Sequence, residues 1–355
     1  MCTEKFEAAA VAQQLNEAYL TMLPTWGNTQ PLLSAYETTK SLIQAIPPEG
    51  SPLLQLPHFT PEIARKVSEE TRTKNITLQA FMDIPNQERH DLVVGPGLLN
   101  EDQYELAMST ASKIPYPKIE RAFFKVTGEK HITPSSLILL VIKLRIIPPG
   151  TTNVPALNPS DLEDLDPKEG DLDALHGRKD STPIQPPLAY APYFPRDHPP
   201  SYRAFLSEPK SGKIAVPPFK FQTFDKPIFE ADGVTPTFNV VTLKAQFQAP
   251  PQVAEYPFRF HFICDSYLGF DHAEDIVMKV EEPTQAEEIV DEGEISEPEE
   301  DSLAGQMNAL RGGEVKKVRR VKEVEEDDDE SGTDEEEESE ESDTDTDTDT
   351  DTDEE

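Results

Sequence analysis

The segment from Tyr256 to His272, YPFRFHFICDSYLGFDH, concentrates side chains that could do chemistry. It contains two of the chain's seven histidines, one of its two cysteines and two aspartates. A histidine beside a cysteine can activate a thiol nucleophile, and all three residue types can bind metal ions. The segment is therefore a candidate active site, a candidate metal site, or a densely packed strand.

Side-chain alternation along a regular strand separates His261 from Cys264. The three phenylalanines at 258, 260 and 262 share one face with Cys264 and form a stripe typical of a core. His261 lies on the opposite face, where we expect a surface or interface residue. A bulge after His261 would bring the two side chains back together. The pattern favours packing over catalysis.

Common catalytic and cofactor motifs are missing elsewhere. The histidines are scattered, no cysteine pair has zinc-ligand spacing, and GPGLLN (residues 95–100) lacks the third glycine of a dinucleotide-binding turn. There is no nucleophile elbow of the Gly-x-Ser-x-Gly type and no phosphate-binding loop. We therefore expect no enzyme, no cofactor and no metal site.

Charge divides the chain of 355 residues into two parts. The net charge is −36, and residues 281–355 contain 34 acidic and six basic residues, which leaves −8 for residues 1–280. No aromatic residue follows Phe270. A segment so charged and so poor in apolar side chains cannot offset the entropy of ordering it. We predict a disordered acidic tail over residues 283–355.

Helical signals dominate residues 1–115, which we interpret as a small helical domain. PLLSAYETTKSLIQAI (residues 31–46) has apolar residues at three- and four-residue spacing. Thr60 before Pro61 is a helix N-cap signature, and Asn100 before two acidic residues is another.

Seven short runs rich in branched and aromatic residues follow, divided by turns. They predict an immunoglobulin- or fibronectin-III-like β-sandwich over residues 116–282, so the fold class is α+β and multi-domain. Residues 148–195 are rich in proline and acids, and we expect a mostly disordered insertion. The apolar run Leu137–Ile147 contains Lys143 and Arg145 and is too short to cross a bilayer. With no secretory signal either, we expect no direct membrane insertion by this chain.

The acidic tail is the predicted partner-binding site, for a partner with a basic segment, although acidic tails also serve as solvating appendages. Eight Ser/Thr residues between positions 331 and 352 have an acid three positions on, the pattern that acidophilic kinases favour. The acidic residues are Asp327, Asp328, Asp329, Glu330, Asp334, Glu335, Glu336, Glu337 and Glu338. The candidate phosphorylation sites are Ser331, Thr333, Ser342, Thr344, Thr346, Thr348, Thr350 and Thr352.

A basic cluster, KKVRRVK (residues 316–322), interrupts the tail. It could act as a nuclear-import or nucleic-acid patch, or as a local counter-charge or short partner-binding segment. The adjoining acids favour the second interpretation, because they would repel a phosphate backbone. We expect no nucleic-acid partner.

Five strings resemble one family: LLQLPHFTPEIARKV, PGLLNEDQYELAMSTASKIP, ITPSSLILLVIKLRI, KIAVPPFKF and FQAPPQVAEYPFRFHFICDSYLGFD. They resemble the cytosolic C-terminal (Brl-type) region of the Sec-sixty-three type J-protein subunit of the endoplasmic reticulum protein translocon. The resemblance covers residues 1–282, in the family's order of helical domain and fibronectin-III-like sandwich, and an acidic tail follows.

The resemblance implies a scaffold for post-translational translocation on the cytosolic face of the endoplasmic reticulum membrane. The sandwich would dock on the protein-conducting channel, and the tail would bind a basic cytosolic segment of a second membrane subunit, helped by phosphorylation by an acidophilic kinase. The family's transmembrane helices have no counterpart in this sequence. Its lumenal J domain, which carries a His-Pro-Asp motif, has none either, since the similar string DHPPS (residues 197–201) has His-Pro followed by Pro. The alternative is a cofactor module related to the matching cassette of spliceosomal RNA helicases.

Overall fold

The computed structural model describes residues 2–164 and 183–283 of the chain. Six α-helices are seen in the first of these ranges: α1 (Cys2–Trp26), α2 (Thr29–Gln44), α3 (Pro61–Thr71), α4 (Leu78–Met82), α5 (Asn86–Val93) and α6 (Glu101–Ala111). Seven strands follow: β1 (Pro117–Lys125), β2 (Leu137–Ile146), β3 (Tyr202–Ser207), β4 (Ile214–Phe221), β5 (Val241–Gln248), β6 (Ala254–Cys264) and β7 (His272–Val280).

Local capping chemistry sets the starts of α3 and α6, as the sequence predicts. The Thr60 hydroxyl accepts a hydrogen bond from the Ile63 N–H at 3.4 Å, and Pro61 occupies the first helical position. Asn100 and Gln103 form a reciprocal capping box with distances of 2.9 and 3.1 Å. These side chains satisfy N–H groups that have no partner inside the helix.

The strands form two antiparallel sheets with the orders β1-β2-β5 and β4-β3-β6-β7. Each of the seven predicted runs overlaps one of these strands, and the order is that expected of a fibronectin-III-like sandwich. The predicted α+β class is confirmed, with a helical N-terminal region followed by a β-rich region.

The main hydrophobic core lies between the two sheets and continues into the helical region. Alternate residues of β2, from Ile138 to Ile146, point into it together with Phe260 and Phe262 of β6. Leu53 and Phe81 of the helical region belong to the same cluster and are fully buried. Helices and strands are therefore joined by continuous apolar packing.

A second apolar cluster covers the outer face of the four-stranded sheet. We call it the helix–sheet cluster. Its buried members come from α1, α2, β3 and β6: Leu23, Leu32, Ala35, Tyr36, Phe205 and Ile263. The α1–α2 hairpin therefore lies on the side of β3 and β6 that faces away from the main core.

The outer face of the three-stranded sheet is covered differently. Arg145 of β2 binds Glu120 of β1 through nitrogen–oxygen contacts of 2.8 and 2.7 Å and donates to the Pro155 carbonyl at 2.8 Å. Asp164 contacts the ammonium groups of Lys125 and Lys244. Polar and ionic contacts thus attach the segment after β2 to this face.

The predicted insertion, residues 148–195, is described at its two ends. Residues 148–164 follow an irregular path with one 3₁₀ turn, Pro159–Leu162. Residues 183–195 are anchored where Ile184 pairs with Phe224 and where the Tyr190 N–H donates to the Tyr267 hydroxyl at 2.9 Å. The expectation for residues 165–182, like that for the tail from residue 284 on, concerns positions outside the described residues.

Candidate functional site

The structure places Tyr256–His272 on β6, the following turn and the first residue of β7. Phe258, Phe260, Phe262 and Cys264 all belong to the main core, whereas Ile263 belongs to the helix–sheet cluster. The predicted alternation is therefore confirmed. His261 and Cys264 lie on opposite faces of the sheet and do not form a nucleophile–base pair.

His261 lies on the outer face of the sheet, as expected, but it is buried between that face and the α1–α2 hairpin and is not at the surface. Its exposed fraction is 6 %, its ring stacks on Phe205 with centroids 4.5 Å apart, and its Nε2 lies 2.9 Å from the Ser207 hydroxyl. Burial, with a smaller contribution from Arg259, lowers the pKa of His261 to about 4. The imidazole is thus neutral at physiological pH and packs under the α1–α2 hairpin.

Cys264 is fully buried in the main core. Burial, with the nearby Asp265 carboxylate, raises the pKa of its thiol to about 12. Because the thiolate is the nucleophilic form of cysteine, a thiol held protonated and away from solvent is inert. Cys264 therefore acts as a small apolar side chain.

A polar cluster that sequence reasoning missed surrounds Asp265, directly after β6. Its carboxylate accepts hydrogen bonds from the Ser201 N–H (2.9 Å), the Ser201 hydroxyl and the Ser266 hydroxyl (2.6 Å), and it lies 3.4 Å from His198 Nε2. Burial raises the pKa of Asp265, but these partners outweigh burial, and the pKa lies below its usual value. The carboxylate is ionised and has no proton to give.

The Asp265 cluster resembles a catalytic triad in composition but not in connectivity. Ser201 donates to the aspartate, and His198 also contacts the aspartate. A serine nucleophile needs a base that accepts its proton, with the carboxylate behind that base. Here the same contacts fix the DHPPS segment, residues 197–201, against the end of β6.

The turn from Asp265 to Asp271 also receives the helical region. Gln44 of α2 donates to the Ser266 carbonyl at 2.7 Å, and Gln55 both donates to the Leu268 carbonyl (3.1 Å) and accepts from the Leu268 N–H (2.8 Å). No short motif announces these contacts, because the partners are more than 200 positions apart in sequence.

An ion pair completes this junction. Lys40 of α2 is 1 % exposed and contacts the carboxylates of Asp271 and, at 3.2 Å, Glu37. Burial lowers the pKa of Lys40, but the two carboxylates outweigh it, so the pKa lies above its usual value. Asp271 therefore joins α2 to the sandwich.

The three-stranded sheet carries a basic face on its outer side. Cross-strand pairing puts Lys118 beside Arg145 and Arg121 beside Lys143, and Lys244 lies opposite Val141 on the same side. Lys143 and Arg145 are buried, with exposed fractions of 6 % and 5 %. Burial lowers the pKa of Lys143, and its ammonium donates to the Thr242 hydroxyl at 2.9 Å.

Residues 2–164 and 183–283 show neither a metal-binding cluster nor a membrane-spanning helix. No group of three or more His, Cys, Asp or Glu side chains there could hold a metal ion. Over the same ranges, no helix has the length and apolar character needed to cross a bilayer.

All the predicted tail sites lie outside the described residues. These are the acidic partner-binding positions from Asp327 to Glu338 and the candidate phosphorylation sites from Ser331 to Thr352. Their assignment stays a prediction from the sequence.

Comparisons with known proteins agree with the resemblance seen in the sequence. The chain is 26 % identical over 291 residues to "Translocation protein sec63" of Schizosaccharomyces pombe, an alignment that covers 80 % of this chain and 44 % of the relative. It is 29 % identical over 226 residues to "Protein translocation protein SEC63" of Saccharomyces cerevisiae, covering 60 % of this chain and 31 % of that protein. No protein-family profile matches the chain.

A weaker similarity connects the chain to RNA helicases. "DExH-box ATP-dependent RNA helicase DExH13" of Arabidopsis thaliana is 20 % identical over 294 residues, which is 81 % of this chain and 11 % of the helicase. The chain spans less than half the length of each of these three relatives. Identity is higher to the translocation proteins. Over most of its length, the chain is homologous to the SEC63 translocation proteins.

Proposed function

We propose that this chain is a non-enzymatic scaffold in protein translocation at the cytosolic face of the endoplasmic reticulum membrane. The observation that carries the proposal is homology to SEC63 translocation proteins across 80 % of the chain. The sandwich docks on the protein-conducting channel, and the acidic tail binds the basic cytosolic segment of a second membrane subunit.

The geometry of the described residues supports a docking role. The side chains that first suggested catalysis have structural partners: His261 stacks on Phe205, Cys264 is buried in the main core, and Asp265 holds the DHPPS segment. Lys40 and the two glutamines Gln44 and Gln55 fix the helical region to the sandwich. A body cross-connected in this way presents its surface loops in fixed positions, which favours specific binding.

Charge supports the tail's part in the proposal. Residues 323–355 contain 22 acidic residues and no basic ones. Such a segment attracts a basic partner at long range, and the attraction weakens as salt screens it. Each phosphate that an acidophilic kinase adds contributes a further −1.5 to −2 charges, roughly, near neutral pH.

Affinity capture with the full chain as bait tests the scaffold proposal. From detergent-solubilised cell extract we expect recovery of the protein-conducting channel of the endoplasmic reticulum. Recovery of spliceosomal proteins without the channel would instead support a helicase-type cofactor module and contradict the scaffold proposal.

A tail deletion tests the second contact separately. Removing residues 323–355 should abolish binding to a basic peptide while capture of the channel continues. The matched control keeps the acids and replaces the eight candidate phosphorylation sites by alanine; it should retain basal binding and lose any gain on kinase treatment. Binding that survives the deletion, or that ignores salt, would contradict the tail's assigned role.

A further inference from the structure

Helix α1 displays a stripe of large apolar side chains to solvent. The exposed fractions are 53 % for Val11, 68 % for Leu15, 37 % for Tyr19, 49 % for Met22 and 61 % for Trp26. Their spacing of three and four residues puts them on one side of the helix. We call these five residues the α1 stripe.

The side of α1 next to the stripe already packs against α2 and the sheet. Leu23 is 1 % exposed in the helix–sheet cluster, and Asn16 donates to the Ala35 carbonyl (2.9 Å) and the Thr39 hydroxyl (2.8 Å) of α2. The stripe extends the apolar surface of α1 beyond the part that α2 and the sheet cover. The α1 stripe therefore has the composition of an interface.

The size of the α1 stripe suits a modest protein–protein contact. Large apolar and aromatic side chains expose roughly 150–250 Å² each when free, so these fractions leave on the order of 500 Å² of apolar area per chain. Two such surfaces together bury about 1,000 Å², near the lower limit of a specific interface.

We propose that the α1 stripe binds the α1 stripe of a second copy of this chain in antiparallel orientation. Four of the five residues are placed symmetrically about the midpoint between Ala18 and Tyr19, and Tyr19 itself would face Ala18. A two-fold axis there puts Val11 opposite Trp26 and Leu15 opposite Met22. Self-complementary surfaces of this kind form closed two-fold dimers. A parallel pair would instead place the two Trp26 rings against each other.

Charge permits this contact despite the net charge of −36 on each chain. Between Ala8 and Trp26 the sequence contains a single charged residue, Glu17. Repulsion therefore comes from the rest of the two chains, and added salt should screen it and strengthen the dimer. The affinity of the tail for its basic partner should instead fall as salt is added.

Sedimentation analysis of the full chain tests the dimer. We expect concentration-dependent dimers whose dissociation constant falls as salt is added. Leu15→Glu and Met22→Glu should each raise that dissociation constant by at least about tenfold. Leu106→Glu is the matched control, because Leu106 is a leucine of another helix, α6, and is 51 % exposed. A monomer at all concentrations and salts, or a dimer that the stripe variants leave intact, overturns the proposal.

Cysteine pairing tests the orientation. In a Cys2→Ser background, a mixture of Val11→Cys and Trp26→Cys chains should give mainly the mixed disulfide on mild oxidation, because antiparallel packing brings these two positions together. Homodisulfides in excess, or no disulfide at all, would contradict antiparallel pairing. Unchanged circular dichroism of each variant confirms that the exposed substitutions leave the fold intact.

Discussion

The two outer faces of the sandwich are covered by different chemistry. On the four-stranded sheet, Phe205 and Ile263 pack against apolar residues of α1 and α2. His261 stacks on Phe205 there, and its imidazole is uncharged. On the three-stranded sheet, Lys143 and Arg145 are buried beneath a segment attached by ion pairs and carbonyl contacts. One face depends on apolar burial, and the other depends on the matching of charges.

This difference predicts different sensitivities. Apolar packing is insensitive to salt and depends on shape, so truncation leaves a cavity. A buried ion pair contributes little net stability, but removal of one partner leaves an uncompensated charge. A second substitution that removes the unpaired charge should therefore restore stability on the ionic face, whereas no such compensation is available on the apolar face.

The largest effect is expected on the apolar face. Phe205→Ala should lower the free energy of unfolding by about 4 kcal/mol, because it leaves a cavity under the α1–α2 hairpin and removes the ring that stacks on His261. Chemical denaturation measures the change. Phe6→Ala is the control, since Phe6 is 42 % exposed, and it should cost less than about 0.5 kcal/mol. Equal losses for the two variants would mean that the hairpin does not pack on the sheet.

A somewhat smaller loss is expected on the ionic face. Arg145→Ala should cost about 3 kcal/mol, because the buried Glu120 carboxylate then keeps only the exposed Lys118 as an ion partner, at 3.7 Å. The double variant Arg145→Met with Glu120→Gln should recover much of that stability, because it removes both charges. The cavity left by Phe205→Ala has no charge to remove, so neutralising a neighbouring residue should not restore its stability. Arg121→Ala, at an exposed arginine of the same face, is the matched control. If the double variant is as unstable as Arg145→Ala, charge matching is not what holds this face together.

The next effect depends on pH. Folding lowers the pKa of His261 to about 4, from about 6.5 when unfolded. The unfolded chain therefore binds a proton that the folded chain does not, and stability is lost as the pH falls from about 6.5 toward 4. The loss should be on the order of 2 kcal/mol after allowance for solvent screening.

Denaturation curves at several pH values isolate this contribution. The stability difference between the parent chain and His261→Gln should shift by that amount between pH 7 and pH 4.5, because all other titrating groups are common to both. A constant difference for His261→Gln would place the imidazole in solvent.

Sequence reasoning succeeded where the determining contacts are local. The caps at Thr60 and Asn100 act over three residues, and the seven strands follow from side-chain alternation and turns. For His261 the predicted face was correct but the burial was not foreseen, because alternation tells which face a side chain is on and not what covers that face. Phe205, which stacks on His261, is 56 positions away in sequence.

Other features were missed for the same physical reason. Lys143 and Arg145 interrupt an apolar run, and the sequence offers no sign that residues after β2 return to bury them. Asp265 and Ser201 are 64 positions apart, so their hydrogen bonds depend on the pairing of β3 with β6. Long-range contacts of this kind leave no local pattern.

The central claim is that the reactive side chains of Tyr256–His272 serve packing. Thiol labelling of the Cys2→Ser variant, in which Cys264 is the single cysteine, tests it most directly. Because burial raises the pKa of this thiol to about 12, the folded chain should stay unlabelled at neutral and mildly alkaline pH and become fully labelled in denaturant. Labelling of the folded chain at the rate of a free thiol would show an accessible, ionisable cysteine and would contradict a purely structural role.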